Sequence, residues 1–554
     1  MSMKNKTARW SNSKHRWLAL VGGISLLIWG LSGLTHIAMV LFGPQQAQFM
    51  PPPAQVELTA ATPIAETLAA NGISDPVAVK TVPASGGGAL WQVTDEPLAE
   101  RRYFAPETGE EIAGGDRAQA EFLARHYLAT DREITSATLQ TGFDADYPWV
   151  NRLLPVWKLQ FAGDDNLTAY VHTETSALAA VNNSTKGAFQ TAFRVLHTWE
   201  WVPAGMEWLR VFVITAMVGS LFALGATGVM MLVTVRRKKR APGAKGWHRI
   251  MSYVLALPLI MFSVSGIYHL VQSALVPPGS QLRMGEPLDL ASGAWPVERD
   301  WASLAEGRDI ASVSLVKGEG GQALYRVGLA PPKGAMGGGM HDHSGGEDHA
   351  DHMAPMPPAG PAAIPQTDAE IREARYDGLK PDGPAIYLDA ATGDVVPSGD
   401  RDVALAIAER FTGAGEDQVT NMELVTRFGH EYDFRNKRLP VWRVDYSEPV
   451  KASVFVDTAT GVLVDRVADW EKPERLVFSM IHKWNFLFPL GRLNLNLVVG
   501  GFVIALIVFM AILGLKMDWT NRARQARGRN RRKGNAPGIT TGAKGPQHAP
   551  DPAE

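Results

Sequence analysis

The stretch HRWLALVGGISLLIWGLSGLTHIAMVLF, His15 to Phe42, decides how the rest of the chain is read. From Trp17 to Phe42 it contains no Asp, Glu, Lys or Arg. That run exceeds the ~20 residues a helix needs to cross ~30 Å of hydrocarbon at ~1.5 Å per residue. Three more runs, Val211 to Val235, Ile250 to Val276 and Leu493 to Leu515, are equally free of charge and pass the same test. Four membrane helices follow, and a soluble enzyme is excluded.

The opening stretch also has a twin. His15-Arg16 aligns with His248-Arg249, and Ser32-Gly33-x-x-His36 falls on Ser265-Gly266-x-x-His269, all at an offset of 233. Farther along, LPVWKLQF at Leu154 to Phe161 matches LPVWRVDY at Leu439 to Tyr446, at an offset of 285. Tyr147 with Tyr432, Asn151 with Asn436, and LHTW at Leu196 with IHKW at Ile481 keep the second offset. The chain therefore reads as two copies of one unit: a helix out, an external region, an interfacial segment and a helix back. Two copies in the same orientation imply a pseudo-two-fold axis along the membrane normal. The second offset exceeds the first by 52, so the second external region is longer by that amount, between His269 and Tyr387.

Charge sets the expected topology. Met1 to Arg16 carries five basic residues and no acid, Arg236 to Arg249 seven and none, and Lys516 to Lys533 eight against Asp518. Four spans put these three segments on one face, which the excess of Lys and Arg makes cytoplasmic. The layout is then a basic cytoplasmic N-terminus (1–16), a first span (17–42) and a first periplasmic region (43–207). A second span (208–235), a cytoplasmic basic loop (236–249) and a third span (250–276) follow. The second periplasmic region (277–492) holds an insertion at 333–366, and a fourth span (493–515) leads into a basic, disordered cytoplasmic tail (516–554). The first run reads as an uncleaved anchor in a bacterial inner membrane rather than a secretory signal, because no small-residue cleavage site follows it. With Lys544, the cytoplasmic segments take 21 of 54 basic residues and 3 acids, leaving 33 basic and 53 acidic residues outside. A surface so acidic makes nucleic acid no partner, and the lipid bilayer is the first one.

Each external region carries strand, turn and strand around a Thr-Gly: YFAPETGEEI at Tyr103, YLDAATGDVV at Tyr387 and FVDTATGVLV at Phe455. A fourth, YVHTETSALAAV at Tyr170, has Ser176 where the glycine would stand. Glycine suits the φ > 0 position of a tight hairpin. Ala118 to Ala129 and Val403 to Ala414 have apolar residues near helical spacing, so each region is predicted to be α+β. The D-x-x-T-G hairpins resemble PepSY domains. Together with the basic-flanked HRW helix and a return helix after L-H-x-W, they make the chain similar to the PepSY-associated transmembrane helix family over most of residues 15 to 518. The resemblance implies an α+β membrane protein of four transmembrane helices, in two helix-PepSY-helix units with two periplasmic PepSY-type regions. It also implies a function, since some members are inner-membrane haem b reductases that release iron from ferric siderophores on the periplasmic side.

The histidines suit such a cofactor. The 21 steps from His15 to His36 make ~31 Å of helix and, at ~100° each, fall ~60° short of six turns. One helix face thus offers an imidazole near each membrane surface, and His248 and His269 repeat the arrangement. Two b haems are expected, an inner one on His15 and His248 and an outer one on His36 and His269. Ser32-Gly33 and Ser265-Gly266 would clear space for a porphyrin, although small residues equally suit close helix packing. His197 and His482, in FRVLHTWEW and FSMIHKWNF, could replace or join the outer pair, or belong to an aromatic belt. Six repeated histidines exceed the four that two haems need, leaving two for a propionate or a metal substrate.

The insertion gathers Met336, Met340, His341, His343, His349, His352, Met353 and Met356 in one short stretch. Imidazole suits Cu(II) and thioether Cu(I), and the Gly and Pro content suggests a loose metal-capturing tether, against a solvated linker of biased composition. With no cysteine, thiolate sites and c-type haem attachment are excluded. P-loop, GxGxxG, HExxH and GxSxG motifs are missing too. Nothing cytoplasmic is large enough for a flavin or nicotinamide, so electrons would come from a separate cytoplasmic reductase or from quinone. The expected function is reduction of a periplasmic Fe(III) or Cu(II) chelate. The rivals are a membrane-anchored PepSY binding or regulatory protein without redox work, and a periplasmic metal buffer.

Overall fold

Apolar runs of this length become helices because the bilayer leaves no water to satisfy an open backbone. The computed structural model describes residues 3–54, 56–57, 62–235, 243–275, 285, 287–288, 301–305, 307–330 and 385–534. Four of its helices are long and apolar enough to span: Met3–Phe42, Ala204–Thr234, Ala244–Leu275 and Arg492–Gly528. Pro258 lies inside the third without ending it, as is common where neighbouring helices re-satisfy the freed carbonyl. The last helix continues to Gly534. Positions 516–534, expected as the start of a disordered tail, are thus helical. The span supplies the costly helical nucleus, Arg, Lys, Gln and Ala propagate it, and Asp518 pairs with Arg522 at 2.5 Å one turn on. The His/Met insertion, with Met340, His341, His343, His349, His352 and Met353, lies outside the described residues.

The chain divides into two compact units, and each span contributes residues to both. The first comprises 1–31, 216–263 and 503–554. Its core is a helix bundle seam of Leu26, Leu221, Leu255, Leu259, Ile507 and Ala511. Close approach is built in: a Cβ on Gly30 would come within 2.7 Å of Val508, and one on Gly23 within 2.8 Å of Leu515. Small residues let membrane helices pack by dispersion where no hydrophobic drive exists between them.

The second unit, 32–215 and 264–502, holds the sheets. In the first external region the strands are β1 (Ala78–Pro83), β2 (Ala89–Thr94), β3 (Arg102–Phe104), β4 (Ile134–Gln140), β5 (Val156–Phe161), β6 (Thr168–His172) and β7 (Ala177–Asn182). The second region adds β8 (Ile310–Lys317), β9 (Ala323–Leu329), β10 (Ile386–Asp389), β11 (Val395–Val396), β12 (Val419–Val425), β13 (Val441–Tyr446), β14 (Ala452–Asp457) and β15 (Val462–Ala468). Two four-stranded antiparallel sheets run β4-β5-β6-β7 and β12-β13-β14-β15. Their bulges, at Tyr170/Val171 and Phe455/Val456, keep the second offset seen in the sequence. The predicted helices form at Gly115–Leu128 and Asp400–Thr412, and each covers one of these sheets through residues such as Leu123 and Ile407. The hairpin turns take the expected backbone: Gly461 has φ 69° and Gly393 φ 76°, and Ser176 occupies the same left-handed region at φ 49° despite its side chain.

Nothing in the periodicity predicted the third sheet. It has seven strands in the order β11-β10-β9-β8-β1-β2-β3, joined across the two regions where Val79 pairs with Leu315 and Lys80 with Ser314. Val79, Trp91 and Phe104 from one region share a core with Leu315, Val327 and Leu388 from the other. The two external regions are thus fused through one sheet.

Candidate functional site

In the bundle unit, His15 and His248 face one another from the first and third helices, ring centroids 6.4 Å apart and planes at 70°. The His15 Nδ1 lies 3.1 Å from the Leu224 carbonyl and 3.2 Å from Thr227 Oγ1. A carbonyl only accepts, so Nδ1 carries the proton and the lone pair sits on Nε2. The His248 Nδ1 is buried and has no hydrogen-bond partner among the described residues. A Cβ on Gly228 would stand 3.5 Å from His15 Cε1, and one on Gly514 3.8 Å from His248 Cε1. Both imidazoles therefore have a side-chain-free backbone beside them, on the second and fourth helices.

The second unit gathers the remaining four repeated histidines into two similar ring columns. His36 lies 5.3 Å from Phe193, which stacks on His197 at 4.5 Å. His269 lies 4.0 Å from Phe478, which stacks on His482 at 5.0 Å. In both columns a π-helical turn, Arg194–Thr198 or Phe478–His482, is followed closely by a tryptophan in left-handed conformation, Trp199 or Trp484. Such turns insert one extra residue and commonly mark functional positions.

The serines of the Ser-Gly pairs reach histidines of the returning segments, and a Cβ on Gly266 would stand 3.7 Å from His482 Cε1. Ser32 Oγ is 2.9 Å from His197 Nδ1, and Ser265 Oγ is 3.0 Å from His482 Nδ1. Each serine fixes the ring orientation of the histidine that precedes the returning helix. Burial first, then the His36 and His269 imidazoles, push His197 down to about 3. For His482, also pushed down to about 3, burial is followed by His197 and His269. Both rings are therefore neutral, the state in which imidazole binds a metal.

The columns differ in one respect. The His269 Nδ1 is 2.5 Å from Glu474 Oε1, whereas the counterpart of that glutamate in the first copy is Phe189. Neither Glu474 nor the interposed phenylalanines were singled out from the sequence. Phe193 and Phe478 could have been, since FRVLH and FSMIH repeat the same spacing.

Facing imidazoles 6.4 Å apart suit a shared iron. Two metal–nitrogen bonds of ~2 Å, with each nitrogen ~1.2 Å from its ring centre, separate axial ring centroids by about 6 Å. The unpartnered His248 nitrogen and the two glycines agree with a flat group seated there. Among the described residues no three His, Asp or Glu side chains converge to hold a bare ion.

A family model described as the PepSY-associated TM region matches residues 13–360. The chain belongs to this family. The match takes in His15, His36, His197, His248 and His269 of this PepSY-associated transmembrane protein, and ends before the segment that carries Glu474 and His482. No curated protein matches the chain.

Proposed function

We propose that this PepSY-associated protein is a haem b electron-transfer protein of the bacterial inner membrane that reduces an Fe(III) or Cu(II) chelate on the side of its sheet-bearing regions. The observation that carries the reading is the His15–His248 pair: two rings on different helices at the separation one iron requires, with one Nδ1 tied to a carbonyl and the other buried without a partner. In a low-dielectric bundle a bare imidazole pair is costly and calls for a function.

His15 and His248 would hold one haem. For the second, His197 and His482 are the better-supported ligands, in place of the His36 and His269 first expected. Both have Nδ1 held by a serine hydroxyl, so the pair is oriented alike, whereas only His269 of the other pair has such a partner, Glu474, and His36 has none among the bonds described. When bound, haem iron supplies reversible one-electron transfer. The chain's own residues orient the imidazoles, keep them neutral and exclude water. Basic segments 1–16, 236–249 and 516–533 support a cytoplasmic face, with a reductase there, or quinone in the bilayer, as electron donor.

The test is optical. Protein purified from haem-replete cells should show the reduced-minus-oxidised α band of b haem at two haems per chain. His15→Ala or His248→Ala should lower the stoichiometry to one, and so should Ser265→Ala combined with His482→Ala. A colourless wild-type protein would reject the reading and leave a membrane-anchored PepSY binding module.

A further inference from the structure

The second unit contains a buried cluster of charges that the haem reading does not use. It is built where the β6–β7 hairpin of the first region meets the β14–β15 hairpin of the second. Arg438, 5% exposed, donates to Asp457 Oδ2 at 2.7 Å, to Thr460 Oγ1 at 3.2 Å and to Glu174 Oε2. Lys80 reaches the Glu174 carbonyl oxygen. Arg101, also 5% exposed, donates from Nη2 to His172 Nε2 at 3.2 Å.

Comparing the hairpins shows what is missing. His172 and Asp457 occupy equivalent places at the second offset, and so do Thr175 and Thr460. Thus one hairpin presents a carboxylate to its arginine, and the other presents a ring nitrogen. A guanidinium only donates, so the His172 Nε2 faces a donor in Arg101 Nη2, while its Nδ1 lies 2.8 Å from Thr175 Oγ1 and accepts from the Thr175 backbone N–H at 3.3 Å. Burial, then Arg101, Arg438 and Lys80, hold His172 well below its usual range. The ring is neutral. Among the described residues the cluster therefore sets the cations Lys80, Arg101 and Arg438 against the carboxylates Glu174 and Asp457. The Nε and Nη1 of Arg101 and the Nε of Arg438 have no hydrogen-bond partner there, nor do Thr173 Oγ1 and, on the acceptor side, Glu174 Oε1. A buried guanidinium without a counter-charge or full hydrogen bonding is strongly unfavourable.

We propose that Arg101 binds a small inorganic anion of chloride size, which supplies the negative charge that Asp457 supplies in the other hairpin. Arg101 Nε and Nη1 are its donors. The anion completes the junction between the two PepSY-type regions, so their docking depends on it. Large anions do not suit the position, because the groups at its centre are buried: Arg101 and Arg438 at 5%, and His172, Thr173 and Glu174 at 1% exposure. This site is independent of haem occupancy.

The experiment is thermal unfolding of the full-length protein in detergent, titrating chloride against gluconate at constant ionic strength. Wild type should gain ~3–8 °C and saturate. His172→Asp carries its own carboxylate to Arg101 and should be stable in gluconate and respond by less than ~1 °C. Arg101→Gln should lose the response as well. If that variant does not fold, wild type and His172→Asp decide the matter alone. Crystals grown in bromide should show an anomalous peak within hydrogen-bonding distance of Arg101. An unresponsive wild type, a His172→Asp that responds like wild type, or a water or protein carboxylate found at Arg101 in the bromide crystals would each overturn the assignment.

Discussion

Asp465→Asn is the substitution that should most loosen the junction between the external regions. The Asp465 side chain is 0% exposed, and its Oδ2 accepts from Arg152 Nη1 at 3.1 Å, Asn436 Nδ2 at 3.1 Å and Arg475 Nη1 at 3.3 Å. Its Oδ1 accepts from the Arg466 backbone N–H at 2.9 Å. Arg152 belongs to the first region and the others to the second, so one carboxylate clamps both. The amide keeps the shape but removes the charge, leaving two guanidiniums, each 15% exposed, facing each other without neutralisation. Two unit charges ~4 Å apart interact by ~4 kcal/mol at an effective dielectric of 20. Breaking a buried pair from one side costs about 3–5 kcal/mol. At ~2–4 °C per kcal/mol for a region of this size, the melting temperature should fall by about 10 °C. Asp165→Asn is the control. That carboxylate pairs with Arg132 at 2.9 Å, but the partners are 42% and 45% exposed, and such pairs contribute about 0–1 kcal/mol. Differential scanning fluorimetry of both variants in one detergent gives the comparison. If Asp465→Asn melts within ~2 °C of Asp165→Asn, the buried clamp does not hold the regions together and the reasoning from burial fails.

Other outcomes can be checked on the same preparation. On the proposed haem reading, Ser265→Ala should weaken retention of the haem assigned to His197 and His482 by about 10–100-fold while leaving the His15–His248 site intact, read as haem transfer to apomyoglobin. Gly461→Ala, at φ 69°, should destabilise by about 1 kcal/mol, whereas Ser176→Gly, at φ 49°, should stabilise by up to ~1 kcal/mol; denaturant midpoints distinguish the signs. His172 is held neutral when folded, with a proton affinity below that of the unfolded chain. The unfolded state therefore binds more protons below about pH 6.5, and stability is full above that value and falls as pH drops. His172→Gln should flatten the decline between about pH 6.5 and 4, measured as melting temperature against pH.

The seven-stranded sheet changes how the two copies are understood. A helix-PepSY-helix unit suggests modules able to act singly, yet β1 pairs with β8 and residues from both regions share one core. Stability of either region is then coupled to the other, which gives the buried clamp and the Arg101 cluster their weight. Glu474 introduces a second asymmetry: it holds His269, while its counterpart position 189 carries phenylalanine.

Local signals were legible because they depend on short stretches. Charge-free runs exceed the thickness of hydrocarbon wherever they lie, and four helices long and apolar enough to span run through them. Thr-Gly turns announce hairpins, and the helices over Gly115–Leu128 and Asp400–Thr412 follow from residue spacing. Two constant offsets relate similar segments of the sequence, and the paired bulges at Tyr170/Val171 and Phe455/Val456 keep the second of them. The helical extension to Gly534 was missed because a run of Arg and Lys resembles a solvated tail unless a preceding span nucleates it.

Residue types and spacing named the six repeated histidines, but not how they divide. That His15 meets His248 while the other four gather around Phe193 and Phe478, and that Ser32 and Ser265 reach the rings of His197 and His482, depends on side chains far apart along the chain. Sequence periodicity carries the angle of a residue about its own helix axis. Only packing of one element against another sets which faces meet, and pairing across the two regions decided the common sheet and the buried Arg101 cluster for the same reason.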